Sequence, residues 1–76
     1  MDEKERKKVR AHLKECRNKA GLTAGDAALK SGLTEAHWRS LENDKRIGDL
    51  RLSTVMKIRK VLRRFNPIRA MEKKDE

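Results

Sequence analysis

The stretch from Leu22 to Asn43 constrains this chain more than any other, because its helical runs are punctuated at regular points. Thr23 precedes a short run free of Pro, Gly32 interrupts it, and Thr34 opens a second run that ends Leu41-Glu42-Asn43. Threonine is a good N-cap, since its hydroxyl accepts a first-turn amide that has no partner within the helix. Glycine supplies the left-handed conformation in which helices commonly end. Ala28 is small where two helices would cross. Trp38 and Leu41 stand three apart and share one face of the second run. The spacing predicts two short helices, from Thr23 to about Ser31 and from Thr34 to about Asn43, joined by a tight turn at Gly32. Asp26 makes a rough capping box with Thr23, and Gly25 weakens the first helix by ~1 kcal/mol relative to Ala.

The remaining segments read as helices too. Val9, Leu13, Cys16 and Ala20 recur at spacings of four, three and four, which puts them on one face of a helix over residues 2 to 20. Asp2, Glu3 and Glu5 suit the positive end of its dipole, and Gly21 stops it. Lys45-Arg46-Ile47-Gly48-Asp49 is the one real loop. Leu52, Val55, Met56, Ile58, Val61, Leu62 and Phe65 mark a fourth helix. Asn66-Pro67 is a stop and restart, because Pro is welcome at a first helical position, and residues 67 to 72 form a fifth turn of helix with Ile68 and Met71 on one side. No stretch alternates as a strand would. The expectation is an all-α, four- to five-helix single domain over 1–76, with its core within about 9–66 and frayed ends at 1–4 and 73–76.

Charge narrows the choice of partner. Lys and Arg number 21 against 12 Asp and Glu, a net charge of +9. Such a balance implies a polyanion. Nucleic acid comes first, an anionic membrane surface second, and a solvated basic surface without a partner third. With 3% aromatic residues, base-stacking platforms for single strands are disfavoured. One cysteine allows no internal disulfide, which suits a reducing compartment. No apolar run follows the N-terminal charges, and none approaches the ~20 residues of a membrane span. A cytoplasmic location is expected. No nucleophile–base constellation and no phosphate-cradling glycine loop is present, so neither an enzyme nor a cofactor is expected. His12 stands four residues before Cys16, but two ligands do not make a zinc site. Cys16 reads as a buried thiol, and no metal is expected.

Val9, Leu13, Arg17, Ala20-Gly21-Leu22-Thr23, Ala28, Gly32-Leu33-Thr34, Leu41-Glu42-Asn43, Lys45 and Lys60-Val61-Leu62 together resemble the lambdoid repressor/Cro (XRE-type) helix-turn-helix family. The resemblance runs from Val9 to about Leu62, with one gap in the loop before the fourth helix. It implies five short helices, with the third in the DNA major groove and the second crossing above it. It also implies a two-fold homodimer on double-stranded DNA, with half-sites ~34–36 Å apart. By the same resemblance, base-reading positions fall on Glu35, Ala36, Arg39 and Ser40. Phosphate contacts fall on Thr23, Ala24, Asn43, Lys45 and Arg46. Arg17 and Glu42 become an internal ion pair between the first and third helices. Two departures stand out: Ala24 occupies a position where many relatives carry Gln, and Trp38 one where a β-branched core residue is usual.

Chemistry gives each of these residues a role and a plainer alternative. Arg39 suits the N7 and O6 of a guanine, or a phosphate. Glu35 suits a cytosine amino group, or simply the start of its helix. Ala36 fits a thymine methyl and Ser40 several bases, although both also merely permit close approach. His37 suits a phosphate or stands uninvolved. Lys45 and Arg46 suit the DNA backbone or solvent. Lys57, Arg59, Lys60, Arg63 and Arg64 form a basic face on the fourth helix, suited to flanking phosphates or simply to solvent. Phe65, Ile68 and Met71 are the candidate dimer surface, because the fourth helix has little left to cover them.

The expected function is a sequence-specific, dimeric transcription regulator, a repressor on a pseudo-palindromic operator of the phage, mobile-element or restriction–modification kind. The alternative is the antitoxin of a toxin–antitoxin pair, binding a protein partner and its own operator. A nonspecific architectural binder is a third class, separated by equal affinity for all sequences.

Overall fold

The computed structural model describes residues 2–43 and 50–72, all of its regular structure being helical: α1 (Glu3–Lys19), α2 (Ala24–Ser31), α3 (Glu35–Asn43), α4 (Leu52–Val61) and α5 (Pro67–Glu72). Lys45 and Arg46, Met1 and the 73–76 end lie outside the described residues.

Local chemistry sets most helix ends. At the start of α1, Asp2 accepts the Glu5 amide at 2.8 Å while Glu5 accepts the Asp2 amide at 3.1 Å, a closed capping box. The helix begins at Glu3. Thr23 accepts the Asp26 amide at 3.1 Å and opens α2. Thr34 accepts the His37 amide at 3.1 Å and opens α3. Only the forward half of the Thr23–Asp26 box is formed.

The core takes Val9, Leu13 and Cys16 from α1, Ala27 and Ala28 from α2, Trp38 and Leu41 from α3, Ile58 from α4, and Leu62, Phe65 and Ala70 beyond it. Ala20 stays exposed at the end of α1 rather than joining this face. α1 packs on α5 and α3, while α2 packs on α3 and α4. The contact of α4 with α2 rather than with α3 leaves the outer side of α3 open. No described helix is long and apolar enough to cross a membrane.

The C-terminal segment departs from the sequence reading. α4 ends at Val61, and Leu62 leaves the helix with φ −116° and ψ 81°. The Phe65 amide then donates to the Leu62 carbonyl at 3.0 Å, a tight turn that lowers Phe65 into the core. Its ring stacks on His12, with centroids 5.6 Å apart. Phe65 is 0% exposed, so it is not part of a dimer surface. It serves the core that Met71 flanks. Ile68 is 63% exposed, and Met71 is half-buried against the core. His12 also accepts the Asn66 amide on Nε2 at 3.1 Å, and Asn66 in turn accepts the Arg69 amide at 3.2 Å. α1 thus holds the entry to α5 through an imidazole.

Candidate nucleic-acid interface

The corner between α2 and α3 is built by backbone. Gly32 adopts φ +82°, in the left-handed region. Its amide donates to the Leu29 carbonyl at 3.3 Å, and the Leu33 amide donates to the Ala28 carbonyl at 2.9 Å. This pair of bonds is the Schellman pattern, which satisfies carbonyls that the end of α2 would otherwise leave open. Ser31, buried beside the corner, donates its hydroxyl to the Ala28 carbonyl at 3.0 Å.

One carboxylate anchors α3 to the scaffold. Arg17 reaches Glu42 with two nitrogens, Nε to Oε2 at 2.8 Å and a terminal nitrogen to Oε1 at 3.0 Å. The third nitrogen of Arg17 donates to the Leu22 carbonyl at 2.9 Å. Trp38 donates its indole N–H to the same carboxylate. Arg17 therefore binds α1, the α1–α2 junction and α3 together, and its fork geometry suits this bidentate grip.

With Trp38, Leu41 and Glu42 buried, helical geometry turns the opposite side of α3 outward at ~100° per residue. That side carries Glu35, Ala36, Arg39, Ser40 and Asn43, exposed except for the half-buried Ser40. Arg39 pairs with Glu35 one turn earlier at 3.3 Å, both side chains more than half exposed. The Asn43 side-chain amide donates to the Arg39 carbonyl at 3.1 Å, so part of its donor capacity stays within the helix. Glu35 also leans over α2, where a Cβ on Gly25 would lie 2.8 Å from its Oε1. Glycine at this position admits the carboxylate. The contact is with the far end of an exposed, flexible side chain, so a Cβ at Gly25 would displace it at little cost.

α3 runs between two clefts. On one side Lys14, Ala24, Arg39 and Asn43 line a shallow depression of about 190 Å³, with the Arg17–Glu42 pair at its base. On the other side a wider cleft of about 720 Å³ lies between α3 and α4, lined by Ala36, His37 and Ser40 from α3 and by Arg51, Ser53 and Lys57 from around the start of α4.

The chain matches no family model, no curated protein and no solved structure.

The site residues expected from sequence thus fall in separate places. Glu35, Ala36, Arg39 and Ser40 share the outward side of α3. Ala24 joins Asn43 and Arg39 in the small cleft. Thr23 is exposed but commits its hydroxyl to capping α2. His37 belongs to the wider cleft, on the flank of α3 that faces α4. The basic face expected on α4 divides, since Lys57 lines the wider cleft whereas Arg59, Lys60, Arg63 and Arg64 do not. Lys14, Arg51 and Ser53 are additional polar residues of the two clefts. Their sequence signal is weak, because a lone polar residue beside a core position says nothing about which neighbouring helix it will face.

Proposed function

We propose that this chain is a sequence-specific double-stranded-DNA-binding regulator of the lambda repressor/Cro helix-turn-helix kind, acting in the cytoplasm as a homodimeric repressor on a pseudo-palindromic operator. The observation that carries the reading is α3 itself. It is pinned to the scaffold through Trp38, Leu41 and Glu42, and it presents Glu35, Ala36, Arg39 and Ser40 along its free side. Clefts with cationic side chains flank it. A helix so held, with small residues beside one long cation, fits a major groove about 12 Å wide. The net charge of +9 supplies attraction to phosphate at any sequence. Arg39 then reads guanine, with Glu35 placed to accept from a neighbouring cytosine. Lys45 and Arg46, from the segment after α3, extend the phosphate contacts. Ile68 and Met71 are the dimer surface that remains once Phe65 is assigned to the core.

The test is selection of bound sequences from random duplexes. A two-fold-symmetric motif is the expected result, and it bears on the dimer and on specificity together. Recovery of unenriched sequence would overturn the reading in favour of an architectural binder. The exposed apolar side chains Leu29, Leu52, Met56 and Ile68 favour a second reading, an antitoxin that also holds a protein partner. That reading predicts a stable complex with a neighbouring toxin in addition to operator binding.

A further inference from the structure

We infer that the cleft between α3 and α4 seats a DNA phosphate backbone, with Lys57 as its charged contact and Ser53 and Ser40 as hydroxyl donors. The inference rests on the duplex-binding reading above and singles out one cation of the basic α4 face, in one cleft, as a phosphate contact.

Major-groove geometry motivates the inference. A helix lying in the groove has one strand's backbone on each side of it. The small cleft beside α2 offers Lys14 and Asn43 to one strand. The other strand must pass the opposite flank of α3, and that flank is the side of His37. There α4 stands off from α3 and leaves about 720 Å³ of open space. The described lining combines Arg51 and Lys57, the His37 imidazole and the hydroxyls of Thr34, Ser40, Ser53 and Thr54, and no carboxylate. Cations with hydroxyls are the groups that contact phosphate oxygens in protein–DNA complexes. Ala36 and Ser40 belong both to this cleft and to the outward side of α3. A base pair read by α3 and a phosphate held by Lys57 would therefore lie against one continuous surface.

The chemistry also separates Lys57 from the other cations of its helix. Arg59 is exposed on α4 but does not line the cleft. A diffuse attraction by net charge would weigh the two cations alike. A seated phosphate would weigh only Lys57.

The experiment measures affinity for a random-sequence duplex and for a selected duplex across a salt series, using the wild-type chain, Lys57→Ala and Arg59→Ala. Lys57→Ala is expected to reduce the slope of log affinity against log salt by about one and to weaken both duplexes about five-fold at 0.15 M salt. Arg59→Ala is expected to change slope and affinity much less. Thermal melting of both variants should match the wild type, because both side chains are exposed. Equal effects of the two substitutions, or a loss confined to the selected duplex, would overturn the assignment of Lys57 while leaving duplex binding intact. A wild-type chain that binds no duplex at any salt would overturn the parent reading, and this one with it.

Discussion

Trp38 stands one helical turn before Glu42 on α3 and donates its indole N–H to the Glu42 carboxylate, the same group that Arg17 holds from α1. A tryptophan here brings a polar N–H into the core, and burial of that N–H without an acceptor would cost stability. Glu42 supplies the acceptor. The carboxylate is in turn tolerable because the Arg17 guanidinium faces it. Glu42→Ala leaves Arg17, whose side chain is 14% exposed, without its partner and should destabilise the fold by ~3–5 kcal/mol. Trp38→Phe removes one donor and part of the ring volume and should cost less. Urea denaturation checks both, and a Glu42→Ala loss below that of Trp38→Phe would contradict this account.

Gly32→Ala should destabilise by ~1–2 kcal/mol, the cost of placing a Cβ in the left-handed region. A Cβ there would meet nothing within 4 Å, so the whole effect is backbone strain. Gly32→Asn should recover part of the loss, because Asn tolerates that conformation better. Thermal melts by circular dichroism report both, and a neutral Gly32→Ala would refute the strain argument.

His12→Phe keeps a ring against Phe65 but removes the acceptor for the Asn66 amide. A lost hydrogen bond of this kind is worth about 1 kcal/mol. The local effect should exceed the global one, with faster amide hydrogen exchange at Asn66 and through α5. Unchanged exchange there would mean that α5 is held by packing alone.

Phe65→Glu and Ile68→Glu should behave differently. The first buries a charge in the core and should prevent stable folding. The second places a charge on an exposed position of α5 and should leave helix content unchanged while shifting a dimer toward monomer. Sedimentation at matched concentration reads the second effect. An intact Ile68→Glu dimer would move the dimer surface elsewhere, with exposed Leu52 and Met56 of α4 the next apolar pair.

Arg39→Ala should relax preference at one or two base pairs, by ~1–3 kcal/mol of discrimination. Its effect should differ from that of Lys57→Ala, which is indifferent to sequence. The readout is the motif recovered from random duplexes, and an unaltered motif would remove Arg39 from base reading. The exposed pair with Glu35 at 3.3 Å is worth little in water and leaves this side chain able to turn to a base.

The α2–α3 corner was legible because capping residues act locally. Gly32 and Thr34 carry out in the structure what their chemistry allows at any such spacing. The α1 face of Val9, Leu13 and Cys16 was legible for the same reason, and the D-x-x-E of its capping box was there to be read. Phe65 was not. Its spacing from Leu62 continues the helical pattern of α4, and a core residue delivered by a turn has the same apolar signature as one delivered by a helix. The role of His12 depends on a partner 54 positions away, beyond any local pattern. Lys57 sits in a run of cations, and only the lie of α4 against α2 turns it toward α3. The missed features all belong to tertiary placement.

Glu35, Ala36 and Arg39 contribute nothing to the interior, while Trp38, Leu41 and Glu42 on the same nine-residue helix carry its attachment. Stability and the proposed recognition are thereby written on separate edges of one rod. Substitutions along the free edge should be close to neutral for folding, so if the proposed function holds, new DNA preferences could be selected in this chain without first strengthening it.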